Sequence, residues 1–244
     1  MKDCIAIVGA VKEEIAGIKQ AMNISDHVRL GKSRAWPGKW INQNIVLVRS
    51  GVGRQRAEDA TLQVIDHFNP RCLISIGYAG AVQPDLNVGD LVIADKIIEE
   101  KDNGEYSPDS DWINRIRYIP CPDGVKVIVG GLLTVDKVIH DPLSKQELGE
   151  RFSVKAVEME TSAIAKVALE KNIALLSLRA ISDRLDQELL DSSSFLGSDG
   201  EISTLKAGWY VLTHPGIIKN ALSLRTQTQI ATQSITRFIA DLLR

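Results

Sequence analysis

Short apolar runs alternate with amphipathic segments along the whole chain. "CIAIVGA" (4–10) reads as a buried strand ending in glycine, and behind it Val11, Ile15, Ile18 and Met22 recur at helical spacing. "NIVLVRSGVG" (44–53) and "RCLISIGYAGAV" (71–82) repeat the strand-and-glycine arrangement, the first leading into a helix through "AEDATLQVIDHF". "GDLVIADKI" and "KVIVGGLLTV" predict further strands. "VEMETSAIAKVALEKN" (157–172) predicts a helix, and "ALLSLRAISD" (174–183) the most apolar strand of the C-terminal half. Residues 186–204 are polar and predict a loop. The segment "HPGIIKNALSLRTQTQIATQSITRFIADLL" is mainly helical in pattern, with Pro215 suited to a first helical turn.

Strands this apolar, alternating with helices, predict an α/β protein with a mostly parallel sheet covered on both faces. No linker rich in Pro, Gly or Ser interrupts the 244 residues, so residues 1–244 are expected to form a single domain. In such sheets ligands sit beyond the carboxyl ends of the strands. That rule directs attention to three acids. Glu14 follows the first strand and sits beside the seam of Val11 and Ile18. Glu160 falls on the seam of Ile164 and Val167, where an acid must be satisfied by a partner or a ligand. Glu158 is expected on roughly the opposite side of that helix. Asp183 ends the apolar strand 174–183. Each has an ordinary explanation: dipole complement for Glu14, helix cap or loop acid for Asp183. As a set they can divide acid and base duties, provided their surroundings push their pKa values apart.

Composition narrows the field. With 29 Lys+Arg against 31 Asp+Glu, the net charge of −2 gives no electrostatic reason to expect nucleic acid or an anionic membrane as partner. No apolar run reaches transmembrane length and no signal-like segment opens the chain, which gives the expectation of a cytoplasmic protein. Cys4, Cys72 and Cys121 are odd in number and widely spaced, and are expected to be reduced core residues, not a disulfide framework or a metal site. The "SGVG" turn at 50–53 lacks the Walker spacing, and neither it nor "GYAGAV" fits the dinucleotide fingerprint. Their glycines are expected to allow tight turns and close approach of backbone to a ligand. Arg49, Arg54 and Arg56 flank the first turn, with Arg54 and Arg56 as candidate phosphate ligands against surface or structural ion pairs. His140 and His214 sit beside prolines in turn-like sequence and show no nucleophile or metal pattern.

Taken together, "IVGAVKEEI", "SGVGRQRA", "ISIGYAGAVQPDLNVGDLVIAD", "AVEMETSAIAKVA" and "RAISD" resemble the superfamily of purine nucleoside phosphorylases and 5′-methylthioadenosine/S-adenosylhomocysteine nucleosidases. "TVDKVI" (134–139) and "SDGEISTLKAGWYVLTHP" look closest to its hopanoid-associated, nucleoside phosphorylase-like branch. The resemblance implies a three-layer α/β/α sandwich around a mixed, partly barrel-like central sheet. It also implies cleavage of an N-ribosidic bond, a purine nucleoside as small-molecule partner, and a homo-oligomer, with a dimer favoured. In the family pattern Asp183 matches the acid that serves N7 of a leaving purine, and Glu160 the carboxylate that binds a ribose hydroxyl. Glu14 matches the residue that activates water. Tyr78, Ala79, Gly80, Val138, Glu158, Met159 and Ser182 fall at substrate-binding positions. No metal or cofactor is implied, save inorganic phosphate as co-substrate in a phosphorylase.

Three departures from the family pattern bear on the reaction. Ser75 stands where bacterial nucleoside phosphorylases carry an arginine. The first glycine turn supplies Glu14 in place of a phosphate-binding arginine, and Val138 replaces a base-stacking phenylalanine. The first two favour hydrolysis, and the third points to an adenosine derivative with an apolar 5′ substituent. A phosphorylase and a non-catalytic nucleoside-binding or storage protein remain as alternatives.

Overall fold

A computed structural model describes residues 3–116, 118–189 and 218–244. The first apolar run is strand β1 (Cys4–Gly9), followed by helix α1 (Lys12–Ala21). A region the apolar pattern did not resolve follows, with β2 (Asn23–Ile24), β3 (Val28–Leu30) and β4 (Ser33–Trp40). Then come β5 (Gln43–Arg49), α2 (Arg54–Phe68), β6 (Cys72–Ala81), β7 (Leu91–Glu99), β8 (Glu105–Tyr106) and α3 (Ser110–Ile116). The remainder is β9 (Val127–Thr134), α4 (Pro142–Phe152), β10 (Ala156–Glu158), α5 (Thr161–Glu170), β11 (Ala174–Asp183) and α6 (Ile218–Leu242).

The strands form one sheet in the order β10-β9-β7-β11-β6-β1-β5-β4-β2, and β10 also pairs with β6. That last pairing closes β6, β11, β7, β9 and β10 into a five-stranded barrel. The sheet is mixed, not mostly parallel: β5, β1, β6 and β11 run parallel, whereas β7 is antiparallel to β11 and β10 antiparallel to β6. Apolar runs report burial on both faces and carry no information on direction, which is why the pattern alone pointed to a parallel sheet. Layers lie on both faces of the sheet. In β1, Cys4, Ala6 and Val8 pack with Ala57, Val64 and Phe68 of α2 and Ile164 and Val167 of α5. The alternate residues Ile5 and Ile7 pack with Ile15 and Ile18 of α1 and Ile235, Phe238 and Ile239 of α6. Each buried Val, Ile or Phe among them contributes about 1.5–3 kcal/mol.

Two local differences from the sequence pattern have clear causes. The β4–β5 hairpin turns on Ile41 (φ 45°) and Asn42 (φ 60°), a left-handed pair without the usual Asn-Gly signature. The 157–172 stretch is not one helix: Ala156–Glu158 pairs as a strand with β9 and β6, and the helix begins at Thr161. Cys4 and Cys72 are buried as expected, whereas Cys121 is exposed; all three are free thiols. Pro215, His214 and most of the 186–204 stretch lie outside the described residues, as does the 198–215 segment of the branch resemblance. Among the described residues no helix is long and apolar enough to cross a membrane.

Candidate active site

Because β1, β5, β6 and β11 are parallel, their carboxyl ends meet at one edge, and the turn before α1 and the "SGVG" turn lie against it. Glu14 is buried at the third position of α1. Its carboxylate reaches back to accept from the N–H groups of Ala10 (2.6 Å) and Val11 (3.0 Å). It therefore complements the helix N-terminus, the ordinary role for a glutamate there. Its other oxygen crosses to β6 and accepts from Tyr78 N–H at 3.0 Å. Burial nonetheless pushes the carboxyl above the ordinary glutamate range, against the pull of these donors.

Glu158 and Glu160 are separated by the kink between β10 and α5. Glu158 is the hub of the buried polar network. It accepts from the Thr134 hydroxyl at 2.5 Å, the N–H groups of Glu160 and Thr161, and the Arg179 guanidinium at 3.0 Å. A carboxylate offers about four lone-pair sites, so these donors leave Glu158 little to give a ligand. It is no minor polar residue facing away, as the helical pattern suggested, because residue 158 ends a strand.

Glu160 is half-buried at the N-cap of α5, and its carboxylate accepts from Gly53 N–H at 2.8 Å. Gly53 (φ 96°) is the N-cap of α2, so the "SGVG" turn does hold an acceptor at a helix N-terminus. The acceptor is the protein's own Glu160 carboxyl. Its carboxyl is pushed up to about 8, first by burial and then by the charges of Glu158 and Glu14. Arg179 serves this group from the middle of β11, also bonding Ser75 Oγ (3.0 Å) and Thr161 Oγ1 (2.7 Å). A narrow crevice between Val8, Gly9, Ser50, Ile76, Glu160 and Arg179 opens beside them.

Asp183 lies at the end of β11, where a register shift after Ile181 brings it opposite Gly80. Such an irregularity re-aims one side chain without ending the strand. The carboxylate is buried, not a loop acid. Its Oδ1 accepts from the Ser182 hydroxyl at 2.7 Å, and its Oδ2 from the ammonium of Lys145 on α4. The glycines of "GYAG" now have a reason. A Cβ at Gly77 would stand 2.8 Å from Glu14 Oε1, and one at Gly80 would stand 2.9 Å from Asp183 Oδ2. The backbone is kept bare for two of the protein's own carboxylates, one beside Gly77 and one beside Gly80, residues about 10 Å apart along the strand.

Three comparisons bear on this site. Residues 4–204 match the Phosphorylase superfamily. A 5′-methylthioadenosine/S-adenosylhomocysteine nucleosidase of Listeria welshimeri is 32% identical over 205 residues, 75% of this chain and 88% of that protein. The chain belongs to the phosphorylase superfamily. Its fold is shared with the nucleosidase of the same name from Neisseria meningitidis in complex with methylthio-immucillin-A, at a TM-score of 0.78 and 23% identity over 98% of both chains. A futalosine hydrolase of Helicobacter pylori aligns at a TM-score of 0.77 and 19% identity, over 98% of this chain and 97% of that one. Both likenesses agree with the closed, mixed sheet described above.

Within the superfamily fold, most of the expected residues converge. Tyr78, Ala79, Gly80, Ser182 and Asp183 lie on β6 and β11, Glu14 reaches β6 from α1 through Tyr78 N–H, and Glu160 accepts from Gly53 N–H across the turn. The Tyr78 hydroxyl is engaged by Thr232 of α6 at 2.6 Å, so its backbone N–H is the group turned to the site. Met159 is half-buried and packs against the apolar cluster that includes Val135 and Val157. Val138 is half-buried in the segment between β9 and α4. Arg54 forms ion pairs with Glu99 and Asp136, so its charge is engaged by carboxylates. Arg56 lies half-buried beside Gly51.

Two residues escaped the sequence reading. Arg179 is a buried guanidinium inside an apolar strand, a burial problem of the same kind that made Glu160 conspicuous. Lys145 lies on an inward helical seam with Gly149 and Phe152; the helix carrying it was not recognised in the pattern.

Proposed function

We propose that this protein is a purine nucleosidase that hydrolyses the N-ribosidic bond of an adenosine-type nucleoside and releases adenine. The observation that carries the reading is the placement of Glu14 and Asp183 at opposite ends of the Gly77–Gly80 segment, a span matched to a nucleoside lying along β6. Asp183, once it has taken up a proton, hydrogen-bonds N7 of the purine and gives it that proton as the electron pair of the C1′–N9 bond passes to the base. Positive charge grows on the sugar, and the nearby carboxyl groups of Glu14 and Glu160 stabilise it. Glu14 takes a proton from the water that bonds to C1′, a task suited to a carboxyl whose burial raises its proton affinity. Glu160 accepts a hydrogen bond from a ribose hydroxyl. The names of the relatives, and the adenine bound in a Colwellia psychrerythraea nucleosidase of 18% identity and TM-score 0.79, support adenine as the leaving base.

Hydrolysis is favoured over phosphorolysis on electrostatic grounds. A phosphate dianion at the "SGVG" turn would meet Glu160 on the helix N-terminus and Glu99 and Asp136 around Arg54. The proposed substrate carries an apolar 5′ substituent. The same reading expects a homo-oligomer, a dimer first, which light scattering of the purified chain checks. Incubation with adenosine, 5′-deoxyadenosine and 5′-methylthioadenosine tests the reaction itself. Adenine and free sugar are expected in phosphate-free buffer. Strict dependence on phosphate with a sugar 1-phosphate product would overturn hydrolysis, and release of no adenine from any of them would favour a binding protein.

A further inference from the structure

We propose that Lys145 is a positioning residue for the leaving-group step, acting only through Asp183; this rests on the reading of Asp183 as the acid that serves the departing base. Lys145 is completely buried on the inner face of α4. An ammonium has three donors and no acceptor, and all three are used: on Asp183 Oδ2, on Arg184 O at 3.0 Å and on Gln187 O at 3.2 Å. Burying a lysine costs free energy unless it is paired and hydrogen-bonded, and an apolar side chain of similar volume serves stability as well or better. The gain from the ammonium therefore lies in what it does to its partner.

It does two things. Between Lys145 on Oδ2 and the Ser182 hydroxyl on Oδ1, the Asp183 carboxyl cannot turn about its own axis, so its remaining lone pairs are aimed by the protein and not by the ligand. When the proton passes from Asp183 to N7, the carboxylate left behind meets a positive charge already in place. Lys145 also ties the acid to the chain that follows it. The Arg184 and Gln187 carbonyls share its ammonium, Leu189 N–H donates to His140 O at 2.9 Å, and the Gln187 and Gln227 amides bond each other. The ammonium thus joins α4, the end of β11 and the segment 184–189 around one carboxylate.

The test compares two ribosides that differ in their need for a proton. An adenine nucleoside requires protonation of its leaving group, whereas nitrophenyl riboside releases a stable anion without it. Lys145→Met is expected to lower kcat on 5′-methylthioadenosine about 10²-fold and to leave nitrophenyl riboside cleavage within about 3-fold. In the Asp183→Asn background the same substitution is expected to change kcat less than about 2-fold, because the two residues act as a unit. That double variant also removes the unpaired charge, so it keeps the comparison open where Lys145→Met does not fold. Parallel losses on both substrates, or a full further loss in the Asp183→Asn background, would overturn the proposal. Asp183→Asn alone separates the two levels. If it affects both ribosides equally, the underlying reading of Asp183 fails. If it is selective and Lys145→Met is not, only the role of Lys145 fails.

Discussion

The two ends of the Gly77–Gly80 segment hold carboxylates in opposite circumstances. At the Gly80 end, Asp183 has one ammonium to itself and a hydroxyl on its other oxygen. At the Gly77 end, Glu14, Glu158 and Glu160 crowd around a single guanidinium, Arg179, and Glu158 holds the direct ion pair. The matched pair fixes a geometry. The crowded group cannot keep three full charges out of water, so burial and mutual repulsion raise the proton affinity of Glu14 and Glu160. The Gly80 end is built to aim an acid at the leaving base, and the Gly77 end to take up a proton. Similar residue types thus acquire different duties from their counter-ions and not from their own chemistry.

The largest effect is expected at the matched end. Asp183→Asn should lower kcat on an adenine nucleoside by about 10²–10⁴-fold with little change in KM, read from the rate of adenine release. A raised KM at unchanged kcat would make Asp183 a base-binding group only. At the crowded end, Glu158→Ala leaves the Arg179 guanidinium buried without its ion-pair partner, an expected loss of about 3–5 kcal/mol in urea unfolding. A loss below 1 kcal/mol, roughly that of an exposed pair, would show that Glu158 is not the hub.

Smaller effects sharpen the contrast. Gly80→Ala places a methyl 2.9 Å from Asp183 Oδ2, and overpacking of this kind costs about 1–3 kcal/mol in unfolding experiments. Wild-type stability in that variant would mean that β6 and β11 yield easily, contrary to a fixed geometry. The subtlest effect is in pH dependence. Because the Glu160 carboxyl is raised from 4.5 to about 8 in the folded protein, its contribution to stability is full below about 4.5 and is lost as pH rises through 8. Thermal melting of the ligand-free protein should therefore show a decline over that window which Glu160→Gln removes. An unchanged profile in the variant would assign the decline to other groups.

Much of this was legible in the chain because buried strands and glycine turns leave strong local patterns. The β1–α1 unit, the β6 strand and the convergence of Glu14, Glu160 and Asp183 all follow from apolar runs and the strand-end rule. What was hidden depends on pairing at a distance. The antiparallel joins that close the barrel leave no mark on an apolar run. Glu158 read as helical because a three-residue strand and a helix share one continuous apolar stretch, and only pairing with Leu133 and Thr134 neighbours in β9 distinguishes them. Lys145 looks like any surface lysine until Asp183 is brought to it. The glycines at 77 and 80 were legible as sites of close approach, but their partners are side chains from remote parts of the chain and not a ligand alone.

The division of labour between the two ends is tested most directly by the kcat of Glu14→Gln and Asp183→Asn on two substrates, 5′-methylthioadenosine and nitrophenyl riboside. Asp183→Asn should lose about 10²-fold more on the adenine nucleoside than on the nitrophenyl riboside, while Glu14→Gln should lose equally on both, since water must attack either sugar. Equal losses for the Asp183 variant, or a selective loss for the Glu14 variant, would contradict the assignment of acid and base to opposite ends of the strand.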